Sequence, residues 1–353
     1  MAYTSYGVND ALAVKRWSKY LAVEALKNTD IAPLIGTGSN SVIMLKNETQ
    51  KGEGDKITCG LRMQLSGDGF TEGDTAEGNG ESLTTYSDSL FINELGHAVG
   101  VKSNNTIDAQ RVPFDMRAEA RDGLADWFAK RMSVTFFNQV CGYVPQSDTK
   151  YTGLNAVVAA TSTRIIRAGA AANDGALTSA DTFTLDLVDK AKEMAETVSP
   201  KIRPARIDGK MRYVMYLHPY QVTDLRINTS TGQWLDIQKA VGGQNSNNPI
   251  YTGAIGVYND VILRSSIDVT QGVDTDDTAE TDVRRAVLLG AQAAHMAFGM
   301  RSSMNGWRWN EELYDHKRKL EVSAWTIFGM KKAVYNSTDF ATVVVPTYAV
   351  AHT

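Results

Sequence analysis

The sequence holds only two cysteines in 353 residues, Cys59 and Cys141. Two isolated thiols form neither a disulfide framework nor a zinc ligand set, so a reducing compartment is the default. There is no excess of basic charge: 36 Lys and Arg face 40 Asp and Glu, for a net charge of -4. That balance argues against a dedicated nucleic-acid binder, which would carry a basic surplus. No apolar run approaches the ~18 residues needed to cross a bilayer. The first twenty residues lack the apolar stretch and small-residue cleavage site of a secretory signal.

The familiar catalytic signatures are also missing. The chain has no Walker-type phosphate loop and no Gly-x-Ser-x-Gly elbow. Gly67-Asp-Gly69-Phe-Thr-Glu-Gly73 approximates a dinucleotide fingerprint, but its last spacing is wrong and no βαβ unit surrounds it. The histidines at 97, 218, 295, 316 and 352 are scattered, and none has a ligand partner at zinc spacing. His218 and His295 read as structural histidines in preference to catalysts. The acidic run from Asp274 to Glu280 resembles a calcium loop in composition, yet lacks the central glycine of an EF hand. Trp307 and Trp309, flanked by Arg301 and Arg308, would suit a base-stacking platform only with a basic groove around them. Packing or a subunit contact is the better reading. No cofactor or metal is implied.

What is present is a glycine-rich, acidic segment over residues 51–81. It carries Gly52, Gly54, Gly60, Gly67, Gly69, Gly73, Gly78 and Gly80, and it is crowded with Asp and Glu. Such a segment buries too little apolar surface to offset its ordering entropy within one chain. Its flanks alternate as strands do: Ile57, Cys59, Leu61, Met63 and Leu65 share one face, and residues 83–91 and 96–101 read as returning strands. The segment is therefore a long, two-limbed β-hairpin, and an isolated hairpin needs a surface to lie on.

Next comes the strongest helix of the chain, opened by Pro113. Met116, Ala120, Leu124, Phe128, Met132, Phe136 and Val140 form an unbroken i+4 series. About 28 residues at 1.5 Å each give a rod of roughly 40 Å. Further helices are expected over residues 9–27, 184–198 and 218–225. Strands are expected over 41–45, 212–217 and 255–266. Residues 319–328 and 341–348 are expected as strands around a Gly329-Met-Lys-Lys turn, and 268–282 as an exposed acidic loop. Helices and antiparallel strands are mixed without βαβ regularity, so the class is α+β. A chain of this length holds one large domain or two to three smaller ones.

These residues carry a resemblance to the major capsid proteins of tailed bacteriophages, nearest to those of N4-like podoviruses. The matching runs are Lys51-Gly-Glu-Gly-Asp55, Glu77-Gly78-Asn-Gly-Glu81, Phe91-Ile-Asn-Glu-Leu-Gly-His97, Tyr213-Val-Met-Tyr-Leu-His218-Pro219, Gly253-Ala-Ile-Gly256-Val-Tyr-Asn-Asp-Val261, Leu288-Leu-Gly290-Ala-Gln-Ala293 and Phe328-Gly329-Met-Lys331-Lys332. Each is short; their order and spacing make the likeness. The resemblance implies the capsid fold shared by tailed phages and herpesviruses (the Johnson, or Hong Kong phage-type, fold). It implies an N-terminal arm over 1–45, an extended loop over 46–105 and a peripheral domain over 106–182, with a spine helix at 112–142. An axial domain would cover 183–267, and 268–353 would add an acidic loop and return to both domains.

It further implies self-assembly into hexamers and pentamers of an icosahedral head around double-stranded DNA, which is packaged without sequence-specific binding. The expected partners are other copies of the chain, a portal protein, decoration proteins and a separate scaffolding protein, since no helical prodomain precedes the body. The location is the virion, assembled in the host cytoplasm, with no membrane and no enzymatic activity. Inter-subunit contact is expected from Gly67, Asp68, Phe70, Glu72 and Asp74 at the hairpin tip, meeting Arg117, Arg121, Lys130 or Arg131 on a neighbour's spine. The competing readings are an encapsulin-like compartment shell and a hydrolase using His218 or His295.

Overall fold

The computed structural model describes residues 31–46, 54–62, 65, 67–83, 85–102, 115–207, 209–228, 254–299 and 308–352. The helix expected over 9–27, Pro113 and Trp307 lie outside them.

In chain order, β1 (Ile35–Gly36) and β2 (Ile43–Lys46) come first. β3 (Lys56–Arg62) and β4 (Thr85–Phe91) make the hairpin, and β5 (Asn93–Val101) returns from it. α1 (Met116–Val140) is the long helix, and α2 (Thr149–Thr152) is a single turn. α3 (Leu185–Thr197), β6 (Ala205–Ile207), β7 (Lys210–Leu217) and α4 (Pro219–Ile227) follow. Then come β8 (Ala254–Tyr258), β9 (Val261–Ser265), β10 (Gln271–Val273), β11 (Ala279–Leu289), β12 (Ala294–Phe298) and β13 (Arg308–Tyr314). The chain ends in β14 (Lys319–Lys332), β15 (Val334–Tyr335), β16 (Thr338–Asp339) and β17 (Thr342–Tyr348).

Two sheets organise the molecule. The six-stranded sheet runs β1-β2-β12-β14-β13, with β5 also paired to β14; the seven-stranded sheet runs β10-β11-β7-β9-β8, with β17 on β11 and β6 on β7. β14 pairs antiparallel with β13 and β5 along its first part and with β12 along its last residues.

α1 lies against β14 and β5. Asp115 caps its start: the carboxylate accepts the Arg117 backbone N–H at 2.9 Å and satisfies an orphan donor of the first turn. Ala120, Leu124, Phe128, Met132, Phe136 and Val140 are all buried, as their spacing predicts. Toward its C-terminus the helix is buried all round, with Thr135, Phe137, Asn138 and Gln139 also inside. It therefore ends within the core. There Phe137 meets Tyr216 of β7 edge-on at 5.2 Å, joining the helix to the seven-stranded sheet. One continuous apolar core contains α1, α3 and the inner faces of both sheets.

Two expectations are corrected, and one strand is added. Gly329 is no turn: β14 runs straight through it for 14 residues. A Cβ on Gly329 would lie 2.1 Å from the Phe91 carbonyl oxygen, so this glycine permits a close approach of two backbones. Residues 268–282 are not one exposed loop, since β10 pairs antiparallel with β11 there. Its polar residues occupy a turn and the solvent side of a strand pair, a composition that mimics a loop. β13 was missed because its buried alternation includes a charged residue, Glu311, beside Trp309. β3 is described from Lys56 to Arg62, and Leu65 lies outside any described strand.

Buried charges brace the interior. Asp174 accepts Arg167 Nε at 2.8 Å and Arg285 Nε at 2.7 Å, and also the Val273 N–H. Lys332 and Asp339, both fully buried, pair at 2.7 Å. Lys332 Nζ also donates to the Val158 and Ala159 carbonyls, so its ammonium has three acceptors.

Candidate assembly interface

The hairpin divides into a rooted base and an exposed tip. Its strands pair in regular register from Lys56↔Phe91 to Arg62↔Thr85. Ile57, Cys59, Leu90 and Ile92 project from it onto Ala297 of β12, with Ile327 of β14 packed alongside. This apolar seat is separate from the main core.

Polar clamps fix the base. The Asn155 side chain binds Phe91 twice: its Oδ1 accepts the Phe91 N–H at 2.9 Å, and its Nδ2 donates to the Phe91 carbonyl at 2.7 Å. Lys331 Nζ donates to Asp88 Oδ1 at 2.5 Å and to the Ser89 carbonyl at 3.0 Å. The Val334 N–H donates to Asp88 Oδ2 at 3.2 Å. Gly329 supplies the clearance beneath Phe91. Asn155, Asp88 and Lys331 escaped sequence reasoning. The only local signal was the Gly329-Met-Lys-Lys run, a glycine and two charges inside an apolar strand.

Beyond Arg62 and Thr85 the described tip is held by its own short contacts. Glu81 Oε2 accepts the Gly67 N–H at 2.7 Å, and the Asp74 carboxylate accepts both the N–H and the hydroxyl of Thr71. Those bonds from Thr71 hold the Asp74 carboxyl below its ordinary range. Leu65, Phe70 and Leu83 stand 58%, 49% and 52% exposed, so the acidic tip also presents large apolar side chains to solvent. Gly67, Asp68, Phe70, Glu72 and Asp74 thus share one exposed tip, as their sequence proximity suggests.

The four basic residues expected to receive this tip lie on α1, and each has an acceptor or ring in its own chain. Arg117 pairs with the buried Glu311 at 2.6 Å, where Trp309 Nε1 also donates. Arg121 contacts Asp122, and Lys130 contacts Asp268. The Arg131 guanidinium lies 3.9 Å from the centroid of the Tyr151 ring and 5.0 Å from that of Trp127. Arg117 is thereby a brace between α1 and β13. Lys130, on the exposed side of the helix, keeps more of its side chain in solvent.

The histidines singled out earlier are structural in placement. His218 caps α4: its Nδ1 accepts the Tyr220 N–H at 3.2 Å, while Gln221 reaches back to the His218 N–H at 2.9 Å. Burial, reinforced by Arg284, pushes its pKa down to about 4. His295 lies inside the six-stranded sheet, and burial likewise pushes its pKa down to about 4. Trp309 is buried and unavailable for stacking on bases. Asp274, Asp276 and Asp277 line the β10–β11 turn, where Asp274 and Asp276 accept local N–H and hydroxyl groups.

The long helix lies against one sheet, meets the second near its C-terminal end and leaves the hairpin tip exposed. Known proteins share this arrangement. The sequence model of the phage capsid protein family matches residues 5–351, and the chain belongs to that family. The major capsid protein of Pseudomonas phage KPP25 is 24% identical over 349 residues, covering 91% of this chain and 89% of its own. Among solved structures, the capsid of Ralstonia phage GP4 aligns with a TM-score of 0.79 at 27% identity over 99% of both chains. The capsid of cyanophage Pam1 shares the fold, with a TM-score of 0.69 at 20% identity over 92% of this chain and 93% of that one.

Proposed function

We propose that this phage capsid protein is the major shell subunit, assembling into hexamers and pentamers of an icosahedral head around double-stranded DNA. The observation that carries the reading is the hairpin: clamped to its own sheet at the base, apolar and acidic at an exposed tip. A tip of this composition gains by lying on another copy. A single sequence filling five- and six-membered rings needs repeated heterologous contacts that close by symmetry. Gly67, Gly69 and Gly73 let the tip adjust between those environments.

In this reading residues 1–45 form an arm and 46–105 the extended loop. Outside those segments, α1 with β12, β13 and β14 makes the peripheral domain, to whose sheet β1, β2 and β5 add, and the seven-stranded sheet makes the axial domain. Asp68, Phe70, Glu72 and Asp74 reach a neighbour's spine, where Lys130, the most exposed of the four basic residues, is a better receiver than Arg117, Arg121 or Arg131. Scaffolding, portal and decoration proteins complete the particle, which is assembled in the host cytoplasm. The role is structural and not catalytic. The family match favours a phage head over an encapsulin-like compartment. It does not choose the N4-like branch.

Electron microscopy of the purified chain, with and without co-expressed scaffold, tests the proposal. Closed shells or five- and six-membered rings are expected. A small oligomer under both conditions would overturn it.

A further inference from the structure

His295 is the most anomalous buried group at the hairpin seat. It is 3% exposed, and neither ring nitrogen meets a hydrogen-bond partner among the described residues. A buried polar group without a partner is costly, so its surroundings should explain it.

Strand alternation defines which way it faces. Ala294, Met296 and Phe298 of β12 belong to the main core, whereas Ala297 belongs to the small cluster under the hairpin. His295 shares the Ala297 face, because side chains two apart on a strand project to one side. It is paired in register with Lys331 of β14 and Met44 of β2. The charged groups acting on it are Asp88 of β4, Lys46 of β2 and Lys331 of β14. Of these, Asp88 alone would stabilise an imidazolium. Its Oδ1 already accepts Lys331 and the Ser89 N–H, and its Oδ2 accepts the Val334 N–H. Cys59 on β3 is directly opposite Asp88, and Tyr86, two residues before Asp88 on the same face of β4, packs on Tyr335.

We propose that His295 is a proton-sensitive latch: neutral, it lets the hairpin base seat on the six-stranded sheet; protonated, it drives the base off. A proton on the ring places a third cation beside Lys46 and Lys331, in a site stripped of water, with one carboxylate already committed. Three routes would relieve it: loss of the proton, capture of Asp88 from Lys331, or lifting of β3 and β4 to admit solvent. The second breaks the clamp and so leads to the third. The ring's depressed pKa is consistent with this cost: burial is the main cause, and the two lysines add to it. If the unseated ring regains its ordinary value near 6.5, acidification from about pH 7.5 to about pH 4.5 favours the unseated form by up to roughly 70-fold.

Cys59 provides a reporter, because it is 2% exposed on the seated face of β3. Cys141, fully buried in the main core, is the internal control. The experiment labels the full-length, unassembled chain with 4,4′-dithiodipyridine, which reacts with thiols in acid, and locates the adduct by peptide mass. Between about pH 7.5 and about pH 4.5 the labelling of Cys59 should rise by at least about ten-fold over that of Cys141. His295→Gln and His295→Leu should each abolish the rise, Gln preserving a polar side chain should Leu misfold. A Cys59 rate that stays flat, that rises in parallel with Cys141, or that keeps its acid response in either folded variant would overturn the latch. None of these readings needs shells to form, so the latch and the shell reading fail independently.

Discussion

At the scale of single residues, the buried charges make sharp predictions. Replacing Lys332 with Met strands the Asp339 carboxylate in the core and should cost about 3–5 kcal/mol. The double change Lys332→Met with Asp339→Leu should recover most of that loss, as read from urea denaturation midpoints. Asn155→Ala removes two hydrogen bonds to Phe91 and should cost about 1–3 kcal/mol. Its signature is faster amide exchange in β4 ahead of any change in β7. Gly329→Ala should displace the same strand by contact alone, since the added methyl meets the Phe91 carbonyl. The histidines set a pH dependence whose sign follows from their depressed values. His218 and His295 are at about 4 in the folded chain, against about 6.5 unfolded. Between those values the unfolded chain binds more protons. Their contribution is therefore complete above about pH 6.5 and is lost as pH falls toward 4. Urea midpoints should fall between pH 7 and pH 5, and less so in His295→Gln.

At the scale of elements, α1 is the most legible part of the chain. Its i+4 apolar series gave its position and inner face, and Asp115 fixes its start. Phe136→Ala, at the fully buried end, should cost about 3–5 kcal/mol, and Asp115→Ala about 1 kcal/mol. A thermal melt distinguishes them easily. The hairpin was equally legible as two alternating strands about a glycine-rich tip. Its seat was not, because a clamp from Asn155 to Phe91 joins residues 64 apart, and no local pattern marks either. The strands that escaped or were cut short failed for definite reasons. β13 hides its alternation behind a buried Glu311 that pairs with Arg117 from a distant helix. β14 contains a glycine whose purpose is a tertiary contact, and glycine within a strand pattern reads as a break.

At the scale of the whole molecule, residues 290–293 show how the two sheets are joined. This short link carries the chain from β11 in one sheet to β12 in the other, and its N–H groups are taken up by Ala341, Arg203, Ser41 and Val42 carbonyls. A Cβ on Gly290 would lie 2.2 Å from Ile202 and 2.6 Å from the Arg203 carbonyl, so the crossing has no room for a side chain at position 290. The body is thereby one continuous core, while the hairpin tip stands outside it. Deleting residues 67–80 should leave the urea midpoint of the monomer nearly unchanged yet prevent closed shells. Normal shells from that variant, seen by electron microscopy, would remove the tip from the assembly mechanism.

The sequence by itself determined the mixed α+β class, the long helix, the hairpin and the likeness to phage capsid proteins. Each is written in local periodicity or in short ordered motifs. The tertiary structure decided which strands share a sheet, where the hairpin is clamped, and which charges are spent inside the chain. Arg117, Lys130 and Arg131 read as surface cations in the sequence, but Glu311, Asp268 and Tyr151 engage them in the fold. His295 read as an ordinary buried histidine, and only the packing of β2, β4 and β14 around it places two lysines and one committed carboxylate at its ring. The physical reason is the same in each case. Periodicity reports which face of an element is buried, whereas the partner across that face is chosen by chain segments far away in sequence.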